Sequence, residues 1–238
     1  MISSYFFISE EQNRILDATT EYICKNSLFD FQIEDIAAEA KLPIISVQQS
    51  FKCKEDILAA LSIRITNRLY TVINTIFKLP LSGPERLISI FLIDLSKVYT
   101  MPFSFYLKML LVDNSIINNI TPEWLDKKNQ ADSILDNLIS DTVRNSTDIH
   151  FRKKNHENWI DALTTGISCL FERFVQTASQ SHIYNKSTSM KSISLALSTD
   201  HSLVKFAHQM INAYPWLHPL TTKGITCVSI KIHELGYR

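Results

Sequence analysis

His201 and His208 are the nearest this sequence comes to a metal-binding pair, and they lie seven residues apart on one helical pattern. Chelation from one helix face needs an i,i+4 spacing and further ligands, so these two histidines read as surface or interface residues. The four cysteines, Cys24, Cys53, Cys169 and Cys227, are far apart and form no C-x-x-C pair, which indicates neither zinc nor a disulfide framework and fits a reducing compartment. There is no nucleophile elbow, phosphate loop or H-E-x-x-H, and the scattered Asp and Glu define no acid–base pair. Enzymatic activity and a cofactor are therefore not expected. Asn145-Ser146-Thr147 has the form of a glycosylation sequon, but the first eight residues carry no basic n-region and no apolar run long enough to direct secretion or span a membrane. The expected location is the cytoplasm, with no membrane partner.

The elements that position the remaining residues are helices. Only 4 Gly and 7 Pro serve 238 residues, too few for the many tight turns of an all-β chain, and 45% apolar content is enough for a sizeable core. Lys plus Arg and Asp plus Glu number 24 each, so any attraction to a charged partner must be local.

Ser9-Glu10-Glu11-Gln12 is a capping box ahead of Ile15, Leu16, Thr19, Tyr22 and Ile23 at helical spacing. Short helices are predicted over about 33–40 and 43–51, then a long one from Lys54 that Leu79-Pro80 stops. Ser82-Gly83-Pro84-Glu85 opens a helix through Leu87, Ile88, Phe91, Leu92 and Leu95, and a break follows at Met101-Pro102. Phe103 to Val112 suggests a further short helix, and Thr121-Pro122-Glu123 opens one that runs past Val143. Polar 145–155 reads as a loop. Amphipathic patterns predict helices near 158–176 and 199–214, the latter capped by Thr199-Asp200, with a Ser/Thr-rich link between them. From Pro215 onward a terminal strand and a short helix both fit.

Three blocks then stand out: Arg14-Ile15-Leu16-Asp17-Ala18, Ile33-Glu34-Asp35-Ile36-Ala37-Ala38-Glu39-Ala40, and Phe51-Lys52-Cys53-Lys54-Glu55-Asp56-Ile57-Leu58. In order and spacing they resemble the signature of the tetracycline repressor (TetR) family. The resemblance covers about a quarter of the chain. It implies an all-α protein with a helix-turn-helix head over residues 1–56, and a helical ligand-binding and dimerisation body over 57–238. It also implies a homodimer that binds operator DNA and answers to a small molecule.

Physical chemistry supports such a head independently. Ile15, Leu16, Ile23, Ile36, Ala37, Ala40, Leu42, Val47 and Phe51 would bury together and set the angle at which the third helix projects. By the resemblance, Ile44, Ser46, Gln48 and Gln49 fall where the family faces bases or phosphates, and Lys52 and Lys54 where it meets the DNA backbone. In the body, Phe91, Leu95, Phe103, Tyr106, Met109, Trp124 and Leu138 are the candidates for an apolar ligand cavity. Ala162, Gly166, Leu170 and Phe174, with Leu203, Ala207 and Met210, are the candidates for a dimer interface on the last two long helices.

The head departs from the family on the side that would touch DNA. Lys41 stands at the turn glycine, Pro43 at a capping serine, Gln48 and Ser50 at two frequent tyrosines, and Cys53 at the serine that caps the fourth helix. Residues 1–56 hold five basic side chains and ten acidic ones, a net charge of −5. Phosphate neutralisation supplies most non-specific affinity, so binding is expected to be weak and its salt slope shallow. The rival expectation is a protein of this fold that binds small molecules or proteins and has lost operator binding.

Overall fold

The computed structural model describes residues 8–99, 103–146, 156–184 and 194–238, with side chains through 157–177 in the third stretch. Helices make up the fold, and there is no strand among the described residues. In order they are α1 (Glu10–Lys25), α2 (Ile33–Ala40), α3 (Ile44–Ser50), α4 (Lys54–Phe77), α5 (Gly83–Ser89), α6 (Ser104–Leu110), α7 (Asn114–Ile117), α8 (Pro122–Ser146), α9 (His156–Tyr184), α10 (Ser202–Asn212) and α11 (Thr222–Glu234). No helix among the described residues is long and apolar enough to cross a membrane. Residues 1–68 with 99–133 form one compact unit and residues 69–98 with 134–238 a second; the division falls inside α4 and α8.

In the first unit, α1 starts where its capping box predicts. Gln12 N–H donates to Ser9 Oγ at 3.1 Å, and Ser9 N–H donates to Gln12 Oε1 at 3.0 Å. α2 opens with Asp35 accepting from Gln32 N–H at 2.8 Å and ends at Lys41, whose backbone is left-handed at φ 54°. Ile15, Leu16, Ile36, Val47 and Phe51 are fully buried, as the head core requires, whereas Ala40 and Leu42 are half-buried. Phe31 joins this core from the loop before α2, and Phe103, Leu107, Leu111, Ile120, Trp124 and Ala131 join it from far along the chain. Between the two helices expected on either side, the side chain of Asp113 caps α7 by accepting from Ser115 N–H at 2.8 Å.

The second unit departs from the sequence expectations in three places, and at its end it takes one of the two alternatives that the sequence left open. α5 stops at Ser89 rather than running to Leu95, because the buried Asp94 organises the chain beyond it. Its carboxylate accepts from Ser96 N–H, Leu195 N–H and Ser194 Oγ, while its own N–H donates to Tyr237 O at 2.8 Å. α9 reaches Tyr184, eight residues beyond the expected end, so part of the Ser/Thr-rich link is helical; residues 185–193 and most of the predicted loop, 147–155, lie outside the described residues. α10 is capped by His201, whose Nδ1 accepts from Leu203 N–H at 3.1 Å, rather than by Thr199-Asp200. Beyond Pro215 the chain is helical: Thr221 caps α11, and Ile225, Val228 and Ile232 bury one face at helical spacing. α10 packs against α5 and α9, and α11 against α5.

Candidate nucleic-acid interface

The α2–turn–α3 segment is built from the turn outward. Lys41 N–H donates to Ala38 O at 3.1 Å and Leu42 N–H to Ala37 O at 3.0 Å, the pair of bonds that closes a helix on a left-handed residue. Pro43 then turns the chain into α3, with no side-chain cap. Within the seven residues of α3 only Val47 is buried, and Phe51, just past its end, is buried in extended conformation. These two anchors roll the helix so that Gln48 and Gln49 are exposed, Ile44 is 42% exposed and Ile45 68%. Ser46 is half-buried, Lys52 is exposed and Lys54 half-buried.

The turn between α3 and α4 is held by residues that follow it by more than sixty positions, all within the first unit. Phe51 stacks on Trp124 with ring centroids 4.9 Å apart, and Trp124 Nε1–H donates to Ser50 O at 3.2 Å. The Lys127 ammonium lies over that indole at 4.3 Å from the ring centroid. Asp56, fully buried, accepts from Lys52 N–H at 3.0 Å on one oxygen, and from Thr121 N–H and Thr121 Oγ1 on the other. Cys53 Sγ–H donates to Asn119 O at 3.2 Å. Burial, with the nearby carboxylates of Asp56 and Glu55, pushes that thiol up to about 11. The α3–α4 turn is thus fixed by polar and aromatic contacts instead of the missing serine cap. Asp56 and Thr121 were not among the expected site residues. The visible signal for Asp56 was an acid in the third position of a helix, where it reaches back to an unpaired N–H.

The electrostatics match the charge count. Lys25 pairs with Glu39 and Arg64 with Asp17, both at 2.7 Å, which engages two cations of this unit with its own acids. A cleft of about 310 Å³ between the starts of α2 and α4 is lined by Gln32, Ile33, Glu34, Cys53, Lys54 and Glu55, so two carboxylates share it with Lys54.

The other expected site residues are distributed as follows. Phe103 and Trp124 lie in the core of the first unit, and Tyr106 and Met109 of the same unit are exposed. Phe91 and Leu95 are fully buried in the second unit, where Leu138 is half-buried. The seven thus fall into two units. Of the dimer candidates, Phe174 and Ala207 are fully buried within the chain itself, and Gly166 lies against Met210: a Cβ there would be 3.0 Å from its sulfur. Leu170 and Leu203 are half-buried and Ala162 is exposed. Trp159 and Phe206 are exposed on α9 and α10. No group of three or more His, Cys, Asp or Glu among the described residues is placed to hold a metal.

Fold and site together define an all-helical protein with a helix-turn-helix segment near its N-terminus. No family model and no curated protein sequence matches the chain. Among solved structures it is similar to the transcriptional regulator FadR from Bacillus subtilis, solved in complex with stearoyl-CoA, at 16% identity over 84% of this chain and 95% of that one, with a TM-score of 0.49. It is also similar to the fatty acid degradation regulator FadR from Bacillus halodurans, at 16% identity over 86% and 96% of the two chains, with a TM-score of 0.46. Membership of the TetR family is not shown by these comparisons.

Proposed function

We propose that this chain is a homodimeric DNA-binding transcription regulator of the TetR type, without catalytic activity, whose operator affinity is controlled by a small apolar molecule in the helical body. The observation that carries the reading is the attitude of α3. Its buried anchors Val47 and Phe51, set by the left-handed turn at Lys41, direct Gln48 and Gln49 outward with Ile44 and Ile45. Residues 1–56 supply the reader: Ser46, Gln48 and Gln49 for base edges, Lys52 and Lys54 for backbone phosphate. Residues 57–238 supply ligand binding and dimerisation. Ligand shifts the population between two spacings of the paired α3 helices, only one of which fits major grooves about 34 Å apart.

Selection from random duplex DNA by the purified full chain at low salt tests this. Enrichment of a palindrome, lost on Gln48→Ala, supports it. A folded chain that enriches nothing, with or without candidate ligands, favours the second reading, a small-molecule- or protein-binding member of this architecture without operator binding. The specific observation behind that second reading is the net charge of −5 over residues 1–56.

A further inference from the structure

The exposed face of α3 carries a restricted chemistry. The helix reads Ile44-Ile45-Ser46-Val47-Gln48-Gln49-Ser50 and contains no Arg, Lys, Asp or Glu. Guanine is read in the major groove chiefly by paired donors from Arg or Lys, and cytosine by a carboxylate that accepts from its amino group. Neither type is present on this helix; Lys41 and Lys52 lie outside it, on the turns at its two ends. What the helix does present is two exposed amides, Gln48 and Gln49, and two exposed aliphatic side chains, Ile44 and Ile45. A glutamine amide matches the N6 and N7 edge of adenine, and an aliphatic group matches the C5 methyl of thymine. Ile45 is 68% exposed on a short helix whose core contact is already made by Val47, so its apolar surface has no partner within the chain's core. The shortage of positive charge in this unit leaves base contacts a larger share of whatever affinity the chain has.

Resting on the DNA-binding reading above, we infer that the half-site under α3 is composed of A·T pairs, with Gln48 and Gln49 on adenine edges and Ile45, with Ile44, against thymine methyl groups. The exposed side chains of the helix, unlike the half-buried Ser46, are matched to two bases of the four.

The test uses the full chain and the duplex it selects from random DNA at low salt. The expected motif has A·T pairs at the positions that α3 covers. The same duplex is then made with uracil in place of thymine there, which removes the methyl groups and leaves base pairing and every hydrogen-bonding edge unchanged. Each replaced methyl in contact should weaken binding roughly fourfold, as expected for one buried carbon. Ile45→Ala, an exposed substitution whose folding is checked by circular dichroism, should bind the thymine and uracil duplexes alike, while Gln48→Ala should keep the difference. G·C pairs selected under α3, or a wild-type chain indifferent to uracil, would overturn the inference while leaving DNA binding in place. A folded chain that selects no sequence removes the DNA-binding reading itself and this inference with it.

Discussion

Asp56 and Thr121 are joined by two hydrogen bonds, the backbone N–H of Thr121 donating at 2.8 Å and its hydroxyl at 2.9 Å to the same carboxylate oxygen. The other oxygen takes Lys52 N–H, so one buried side chain ties the end of the helix-turn-helix segment to the cap of α8. Asp56→Asn keeps the shape but replaces an acceptor with an amide that points a donor at a donor. Bonds to a charged acceptor contribute about 1.5–3 kcal/mol, and a cost of roughly 2–3 kcal/mol is expected in urea denaturation. Thr121→Val removes only the hydroxyl bond and should cost about 1 kcal/mol. Equal costs for the two would show that Asp56 does not organise both partners.

Lys41 is the single non-glycine residue with positive φ among the described residues. A Cβ in the left-handed region costs about 1–2 kcal/mol, partly recovered because glycine has more unfolded-state freedom to lose. Lys41→Gly should therefore stabilise the chain by roughly 0.5–1 kcal/mol, seen as a higher denaturation midpoint at unchanged slope. A lower midpoint would mean that the lysine side chain contributes contacts that outweigh its backbone strain.

Gly83, the first residue of α5, sits where a Cβ would overlap the Ser146 side chain at the end of α8, with the Trp216 ring also close at 3.4 Å. That indole is itself held by a bond from its Nε1–H to Ile211 O at 2.6 Å. Gly83→Ala should cost about 1–3 kcal/mol by overpacking despite alanine's better helix propensity. Gly83→Ala with Ser146→Gly should recover most of the loss; no recovery in thermal unfolding would place the strain elsewhere.

The thiol of Cys53, raised to about 11, is protonated across the physiological range and in its bond to Asn119. A group whose folded value is raised contributes stability that is complete below the unfolded value, about 8.5, and is lost as pH rises through the folded one. Stability should thus fall between about pH 9 and 11 more steeply in the wild type than in Cys53→Ala. At pH 8, iodoacetamide should modify Cys53 roughly tenfold or more slowly than the exposed Cys169 and Cys227, read by mass spectrometry of the peptides. Equal labelling rates would contradict the raised value.

For the homodimer, Phe174 is the wrong place to look, because it is fully buried within its own chain and a charge there would unfold the unit. Phe206 is 56% exposed on α10. Phe206→Glu should leave the melting temperature of the isolated chain nearly unchanged and convert a dimer to a monomer in sedimentation at micromolar concentration. A wild-type chain that sediments as a monomer would remove the dimer from the proposed function.

Local rules determined much of this molecule from the sequence alone. The capping box at Ser9, the span of α2, the start of α4 at Lys54 and the Thr121-Pro122 start of α8 are all short-range events, decided by which backbone groups lack partners and which nearby side chains can supply them. Gln48 and Gln49 were pointed to by the family resemblance, and the buried Val47 and Phe51 fix the roll of that seven-residue helix so that both are exposed. Tertiary structure decided the rest. Trp124 fitted an apolar cavity by composition, yet its stack on Phe51 and its bond to Ser50 link positions more than seventy apart, which no spacing rule reports. The early end of α5 follows from Asp94 meeting Ser194 and Leu195 a hundred residues on. The last segment, rich in β-branched residues that alternate weakly, became α11 because Ile225, Val228 and Ile232 are buried together at a helical repeat. Such preferences are worth tenths of a kcal/mol per residue, and burial of one apolar face outweighs them.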